Sequence, residues 1–168
     1  METSLSSEPT IELAEALQLL QSATRMLTGV ALRSLEVLDG AVTLSQFRML
    51  AVLADLGPAR SARVAEALGL EPSTVTRVAD RLVAAGHVTR GGEPGHRGVV
   101  TLALSASGHH LVRKVATWRQ QELARMLGQL TAADQALVTA ALRQLLAVGE
   151  GYGVVSRTLV PAAVRPGE

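Results

Sequence analysis

Residues 61–90 read SARVAEALGLEPSTVTRVADRLVAAGHVTR, and this stretch decides the fold because it predicts two short helices joined by a tight turn. Gly69 suits the left-handed end of the first helix, and Pro72 suits the first turn of the second. Gly86 ends the second helix. Apolar residues recur at three- and four-residue spacing on one face of each helix. They are Val64, Ala65 and Leu68 in the first helix and Val75, Val78, Ala79, Leu82 and Val83 in the second.

The segment after Gly86 changes from helical to strand periodicity. HVTR at 87–90 alternates, GGEPGHRG at 91–98 is a glycine-rich turn, and VVTLALS at 99–105 alternates again. This pattern predicts a β-hairpin. Helix, tight turn, helix and hairpin in this order form a winged helix-turn-helix, an arrangement that binds DNA. We therefore predict a mostly α fold with a small β-hairpin wing, in which residues 41–105 form a winged helix-turn-helix domain.

The second helix of this motif carries the residue types that a DNA major groove requires. Ser73, Thr74 and Thr76 place small hydroxyl side chains at its N-terminus, where free N–H groups attract a phosphate. Arg77 faces away from the apolar stripe and is the candidate for a bidentate contact to guanine. The alternative is that Ser73 and Thr74 only cap a surface helix with solvated arginines. Further candidate contacts to phosphates or the minor groove come from Arg60, Arg63 and Arg81 beside the helices and Arg97 in the wing.

The segments on either side of the motif have the pattern of long helices. A helix of that length cannot bury its apolar face against a small domain alone, so it needs other long helices or a partner chain. We therefore assign residues 10–40 and 106–150 to a helical domain that packs its long helices together or against a partner chain. Residues 151–168 are predicted to form a loosely held C-terminal tail. The helical segments run from Pro9 to about Leu38, from after Gly108 onward, and from Thr131 to about Gly149.

Composition and charge exclude several classes of protein. The 168-residue chain has a net charge of only +1, so a nucleic-acid site must come from local charge placement. It has no cysteine, which removes disulfides, thiolate metal sites and cysteine nucleophiles. Since no apolar run is long enough to span a membrane and the N-terminal residues lack a signal-peptide pattern, we expect a cytoplasmic protein.

No motif for catalysis or cofactor binding is evident, so we expect no enzyme activity and no cofactor. His109 and His110 are the residues that most suggest a metal. Neighbouring residues on a helix point about 100° apart, so the two side chains cannot easily bind one ion. We therefore expect no metal site.

Several stretches resemble the MarR family of bacterial regulators, and the resemblance covers roughly residues 10–150. They are SQFRMLAVLAD at 45–55, SARVAEALGL at 61–70 and GHRGVVTLALSASG at 95–108. The most specific is STVTRVADRLVAAGHVTR at 73–90, where the Thr-Arg, Asp-Arg-Leu and Val-x-Arg elements hold the family spacing. The resemblance implies a triangular homodimer in which residues 10–40 and 106–150 form the dimerisation domain. It implies that the recognition helices enter major grooves of a near-palindromic operator in double-stranded DNA. It places the wings in the flanking minor grooves.

The wing departs from the family pattern. Relatives usually carry an Asp-Arg-Arg type triplet, whereas the matching positions here read His96, Arg97 and Gly98. Arg97 can still reach DNA, but its acidic partner and the second arginine are missing. We expect Asp80 to pair with Arg90 instead, which would position the wing on the recognition helix.

The resemblance also implies a transcription regulator, a repressor in our interpretation, that a small organic effector of aromatic or phenolic type releases from DNA. The expected pocket lies between the dimerisation and DNA-binding domains, with Arg48 as a partner for an anion. Trp118 is expected to pack in the core or the dimer interface rather than to line a pocket. The alternatives are an architectural DNA-binding protein without a ligand and a module whose winged helix binds a protein. The expected pocket walls are Leu27, Ala31, Phe47, Leu50 and Leu111.

Overall fold

The structure, a computed structural model, describes the backbone of residues 8–93 and 96–151 and the side chains of residues 12–92 and 100–149. Within these ranges the chain forms six α-helices and one small antiparallel sheet, which confirms the predicted mostly α fold with a β-hairpin wing. The helices are α1 (Glu8–Arg33), α2 (Leu44–Leu56), α3 (Ser61–Leu68), α4 (Pro72–Ala84), α5 (Ala106–Leu127) and α6 (Ala132–Gly151). The strands are β1 (Ala59–Arg60), β2 (Val88–Glu93) and β3 (His96–Leu104).

The first long helix ends earlier than its apolar pattern predicts. α1 stops at Arg33, and a single 3-10 turn follows at Glu36–Leu38, so the predicted continuation of the helix through this turn is wrong. Ser34 Oγ donates a hydrogen bond to the carbonyl of Ala31 at 2.6 Å. A hydroxyl that competes for backbone acceptors disfavours further α-helical turns. Asp39 then adopts a left-handed conformation with a φ of 50°, and the chain turns toward α2 as predicted.

The helix-turn-helix is built around one apolar core. α2 begins with a capping box in which Thr43 and Gln46 exchange hydrogen bonds between side chain and backbone. α3 ends at Gly69 in the predicted left-handed conformation, and Pro72 opens α4 as predicted. The largest part of the core comes from α2, and the first half of α5 completes it. Its members include Phe47, Met49, Leu50, Val52 and Leu53 of α2, Val64 and Leu68 of α3, Val75 and Leu82 of α4, and Leu111, Val112 and Val115 of α5.

The wing is the predicted hairpin with one additional strand. β2 and β3 pair in antiparallel register, and the register shifts between Gly92 and Glu93. β1 pairs with the other edge of β3, where Ala59 lies opposite Leu102. The sequence pattern did not predict β1, because two residues are too few to display the alternation that identifies a strand.

The base of the wing is tied to the start of α5. Ser105 caps this helix, because its Oγ accepts a hydrogen bond from the N–H of Gly108 at 3.1 Å. The same Oγ donates to the carbonyl of Gly86 at 2.7 Å. His87 Nδ1 and Ser107 Oγ lie 2.9 Å apart. The expected helix start after Gly108 is wrong, since the cap at Ser105 starts the helix earlier.

α1 and α6 carry apolar surface that the described residues do not cover. Between residues 12 and 29 of α1 no side chain is buried, and the same holds between residues 132 and 149 of α6. Amphipathic helices gain most of their stability when another surface covers the apolar face. The exposed residues include Leu13, Leu17, Leu19, Leu20 and Leu27 on α1 and Leu137, Leu142, Leu145, Leu146 and Val148 on α6.

Gly108 is expected to be essential for the packing of α5 against the wing. A Cβ atom at this position would lie 2.2 Å from the carbonyl oxygen of His87, which belongs to backbone and cannot rotate away. We expect Gly108→Ala to lower the free energy of unfolding by about 2 kcal/mol or more, measured by chemical denaturation.

Gly29→Ala is the matched control for this substitution. It also replaces a helical glycine, but nothing lies within 4 Å of a Cβ atom built there. Because alanine favours helix over glycine, this variant is expected to be as stable as the natural chain or up to about 1 kcal/mol more stable. Equal destabilisation by the two substitutions would contradict the close-packing argument.

Candidate nucleic-acid interface

One side of α4 is fixed in the core and the other side is exposed. The buried side consists of Val75, Val78, Ala79 and Leu82. Residues that lie between these positions must face outward, because an α-helix turns about 100° per residue. The structure thus brings most of the predicted groove residues of α4 onto one exposed surface, with Thr74 half-buried at its edge. The exposed residues of this surface are Ser73, Thr76, Arg77, Asp80 and Arg81.

The N-terminus of α4 has no side-chain cap. Glu71 occupies the N-cap position, and its side chain makes no capping hydrogen bond. The hydroxyl of Thr74 instead accepts a hydrogen bond from Arg77 Nη2 at 3.4 Å. The alternative that Ser73 and Thr74 serve as caps is therefore wrong. Pro72 carries no N–H, and the N–H groups of Thr74 and Val75 both bond to the carbonyl of Glu71. The N–H of Ser73 is therefore the first-turn donor that is left without an acceptor within the helix.

Further arginines surround α4. Arg81 is exposed one turn after Arg77, and Arg60 is exposed at the start of α3. Arg63 forms an ion pair with Glu66 on the same helix, with 3.2 Å between Nη1 and Oε2 and both side chains more than half exposed. An exposed pair of this kind contributes about 0–1 kcal/mol, so it presents little barrier to a competing phosphate.

An ion pair holds the wing to α4. Arg90 of β2 donates a hydrogen bond to the carboxylate of Asp80 on α4, and both side chains are about half exposed. The pair predicted from the sequence is thereby confirmed. It connects β2 directly to the exposed face of α4. Arg97 lies in β3, but its side chain and that of His96 lie outside the described side chains.

A cavity of about 220 Å³ lies between α1, α2 and α5. Its mostly apolar lining includes Phe47 and two arginines, Arg48 and Arg119. This is the region where the sequence placed an effector pocket. The lining residues are Thr28, Ala31, Leu32, Leu44, Phe47, Arg48, Ala51 and Arg119.

The structure brings together half of the expected pocket residues. Ala31, Phe47 and Arg48 line the cavity, whereas the other three do not. Leu50 is fully buried in the core, Leu111 is buried on α5, and Leu27 is 44% exposed on α1. Arg48 Nη2 also donates to the carbonyl of Leu68 at 3.3 Å, which links the cavity to the end of α3.

Arg119 is the residue of this cavity that sequence reasoning missed. Its Nε donates to Ser34 Oγ at 2.7 Å, its Nη2 donates to the carbonyl of Ala31 at 3.3 Å, and its guanidinium lies 5.6 Å from the ring centroid of Phe47. Burial lowers the pKa of Arg119, which still leaves the group charged at neutral pH. The available signal was its place four residues after Val115, on the inward stripe of α5.

Trp118 borders a separate open cleft of about 470 Å³ on α5. The guanidinium of Arg33 lies 5.9 Å from its ring centroid, so this half-buried ring also packs against the end of α1. The remaining lining is largely basic or polar: Val37, His110, Arg113, Lys114, Thr117 and Gln121.

The described residues show neither a cluster of metal-ligating side chains nor a helix suited to span a membrane. No group of three or more histidine, cysteine, aspartate or glutamate residues among them is arranged to hold a metal ion. None of the described helices combines the length and apolar character that crossing a membrane requires.

Comparison with known proteins identifies this architecture. A family model described as the MarR family matches residues 42–97. The HTH-type transcriptional repressor NicR of Pseudomonas putida is 28% identical over 115 residues, which are 68% of this chain and 73% of NicR. The crystal structure of RV1404 from Mycobacterium tuberculosis has 32% identity and a TM-score of 0.73, covering 89% of this chain and 99% of that one. The transcriptional regulator Tm0710 from Thermotoga maritima has 26% identity and a TM-score of 0.69, covering 81% and 96%.

The family model covers α2 to the start of β3, which is the helix-turn-helix with its wing. The similarity to RV1404 extends over nearly the whole of that chain and therefore includes the long helices. The chain belongs to the MarR family of DNA-binding transcription regulators, which are not enzymes.

Proposed function

We propose that the chain is a repressor that acts as a homodimer on a near-palindromic operator in double-stranded DNA. The observation that carries this proposal is the orientation of α4, whose apolar side is locked in the core while Ser73, Thr76 and Arg77 face solvent. The DNA major groove admits an α-helix presented in this way. The relative NicR is named as a transcriptional repressor, which supports the direction of regulation.

Each candidate residue has a distinct role in this proposal. Arg77 reads a guanine through its O6 and N7 atoms, since it lies in the exposed centre of the α4 surface. The hydroxyls of Ser73, Thr74 and Thr76, with the N–H of Ser73, bind phosphate. Positive charge beside α4 neutralises further phosphates, and the wing enters the minor groove. Arg60, Arg63 and Arg81 supply the flanking charge, and Arg97 is the wing residue.

The exposed apolar surface of α1 and α6 supports a dimer. We assign residues 10–40 and 106–150 to a dimerisation domain and residues 41–105 to the DNA-reading domain. Leu13 of α1 and Leu137 of α6 are 61% and 68% exposed, and no other side chain in the described part of the chain covers them. Large exposed apolar surfaces mark interaction sites. A twofold dimer presents two recognition helices to two half-sites, one helical turn of DNA apart.

The cavity between α1, α2 and α5 supports release by a small aromatic effector. Its volume of about 220 Å³ is below the roughly 300–1,000 Å³ of pockets for drug-sized ligands, so it suits a single ring. Phe47 supplies an aromatic wall, and Arg48 supplies a cation. A ligand that prefers one spacing of the recognition helices shifts the population toward it and weakens operator binding.

Arg77→Ala is expected to abolish most of the specific DNA binding. The test uses the duplex that the natural protein selects from a random-sequence library, and affinity is measured by fluorescence anisotropy at fixed salt. We expect a loss of about 5- to 150-fold for each recognition helix, because one bidentate base contact contributes about 1–3 kcal/mol of discrimination. Arg125→Ala is the matched control, since Arg125 is an exposed arginine on α5 paired only with its neighbour Glu122 among the described contacts. Unchanged affinity of Arg77→Ala would contradict the proposed reading surface.

Leu137→Glu is expected to convert the dimer into monomers. Sedimentation of the natural protein should give twice the 17.6 kDa mass of one chain, and the variant should sediment with the mass of one. Val100→Glu is the control, because Val100 is 51% exposed but lies in β3, away from α1 and α6. A natural protein that sediments as a monomer would overturn the dimer.

Small aromatic compounds are expected to weaken the complex with the selected duplex. A panel of phenols and aromatic acids is titrated against the preformed complex, and at least one should lower affinity by about 5- to 150-fold, the usual range for coupled sites. No change across the panel would favour the architectural DNA-binding protein without a ligand.

A further inference from the structure

The open cleft on α5, called the α5 cleft below, is separate from the sites discussed so far. Its volume is about 470 Å³, and it lies between α5 and the 3-10 turn at Glu36–Leu38, which contributes Val37. No described residue lines both this cleft and the cavity between α1, α2 and α5. Sites for small organic ligands have volumes of roughly 300–1,000 Å³, so the α5 cleft has room for a molecule larger than a single ring.

Most residues of the α5 cleft donate hydrogen bonds, and they lie along one side of the helix at three- and four-residue spacing. Arg113 and Lys114 carry positive charge, while Thr117 and Gln121 add a hydroxyl and an amide. No carboxylate is among the described residues that line the cleft. Such a surface favours an anion with several acceptor oxygens, and a phosphate group has this character.

The carboxylates nearest to these cations present little competition to a phosphate. Lys114 Nζ and Asp39 Oδ2 lie 4.0 Å apart, and the Asp39 side chain is 90% exposed. An exposed pair of this geometry contributes little to stability, so a phosphate can replace the carboxylate at Lys114. Glu122 also lies on α5, but it pairs with Arg125 at 2.7 Å and does not line the cleft.

The aromatic wall of the α5 cleft lies one helical turn beyond its cations. Trp118 follows Lys114 by four residues, which places it about 6 Å further along the helix axis. The half-buried ring is held by Arg33, whose Cζ lies 5.9 Å from the ring centroid. Arg33 does not line the cleft, so it leaves the cleft side of Trp118 open. Aromatic side chains in such a position stack nucleic-acid bases of any identity.

We propose that the α5 cleft binds a free nucleoside 5′-phosphate. The phosphate lies between Arg113 and Lys114, the base stacks on Trp118, and Gln121 meets the edge of the base. One helical turn separates the two positions, which is about the span of the ribose between base and phosphate. Single strands are bound by successive aromatic rings, whereas the described lining has one, so a mononucleotide fits better than a strand. The proposal goes beyond the regulatory function above and does not depend on it.

Titration of ADP into the full-length protein tests the site by fluorescence and by calorimetry. Trp118 is the single tryptophan of the chain, so a change in its emission reports this cleft. We expect ADP to change the emission and to bind as a single molecule per chain. Adenosine and pyrophosphate are each expected to bind at least about tenfold more weakly, because each leaves one end of the cleft empty. Either compound binding as tightly as ADP would overturn the proposed two-part site.

Two kinds of substitution test the two ends of the cleft separately. Trp118→Leu is expected to weaken ADP binding by about 5- to 150-fold by calorimetry, whereas Trp118→Phe retains a ring and should restore most of the affinity. Arg113→Gln is expected to weaken ADP binding by about tenfold or more and to leave the weak binding of adenosine unchanged. Unchanged ADP binding by Trp118→Leu or by Arg113→Gln would place the nucleotide elsewhere. The adenosine result separates a lost phosphate contact from a folding defect.

Arg125→Gln is the matched control, because Arg125 is exposed on the same helix but does not line the cleft. It is expected to bind ADP like the natural protein. The selected duplex then distinguishes a free nucleotide from the DNA backbone as the source of the phosphate. ADP is expected to bind the free protein and the duplex complex with equal affinity. Displacement of ADP by the duplex would assign the cations of the cleft to DNA and overturn the proposal, as would the absence of ADP binding to the natural protein. The titrations of the free protein decide the question even if no duplex is selected.

Discussion

The burial of one apolar side of α4 is the constraint on which the reading surface depends. Val75 and Leu82 have no exposed surface, and each buried side chain of this size contributes about 1.5–3 kcal/mol. A rotation of α4 by one residue would remove these side chains from the core and bring Arg77 toward it, at a cost larger than a single DNA contact can offset. The core thus determines which residues of α4 face outward. The ion pair of Asp80 with Arg90 fixes the wing to α4 in this orientation.

α5 connects this packed core to the long helices. Its first half belongs to the core through Leu111 and Val115, and its cap at Ser105 is bonded to the base of the wing. Its second half extends beyond the core, where α6 has no buried side chain between residues 132 and 149. Arg119 lies where these two halves meet. A change at this position is therefore close to both the reading domain and the surface that we assign to the dimer.

The sequence predicted those parts of the fold that have a strong local pattern. α3 and α4 follow from helical periodicity, Gly69 and Pro72, and the pair of Asp80 with Arg90 follows from the missing wing triplet. The early end of α1 depends on the hydroxyl of Ser34. The apolar pattern continues past this residue and therefore gives no sign of the helix end. The architecture implied a pocket near Ala31, Phe47 and Arg48, but it did not specify which faces of the helices line it.

The hydrogen bond between Arg119 and Ser34 joins residues 85 positions apart, and no local sequence pattern predicts such a contact. Leu50 and Leu111 illustrate the same limit, because a rotation of one residue decides whether a side chain enters the core or a cavity. The residues on the outer face of one helix can be predicted from its periodicity, whereas sites between helices depend on tertiary packing. The α4 surface was for this reason easier to predict than the pocket.

The central claim, that a dimer places two α4 helices in successive major grooves, is tested most directly by a hydroxyl-radical footprint of the natural protein on its selected duplex. The dimer predicts two protected half-sites centred about 10 base pairs apart on one face of the duplex, with flanking protection where the wings enter the minor groove. One isolated protected site, or protection without a helical repeat, would contradict it.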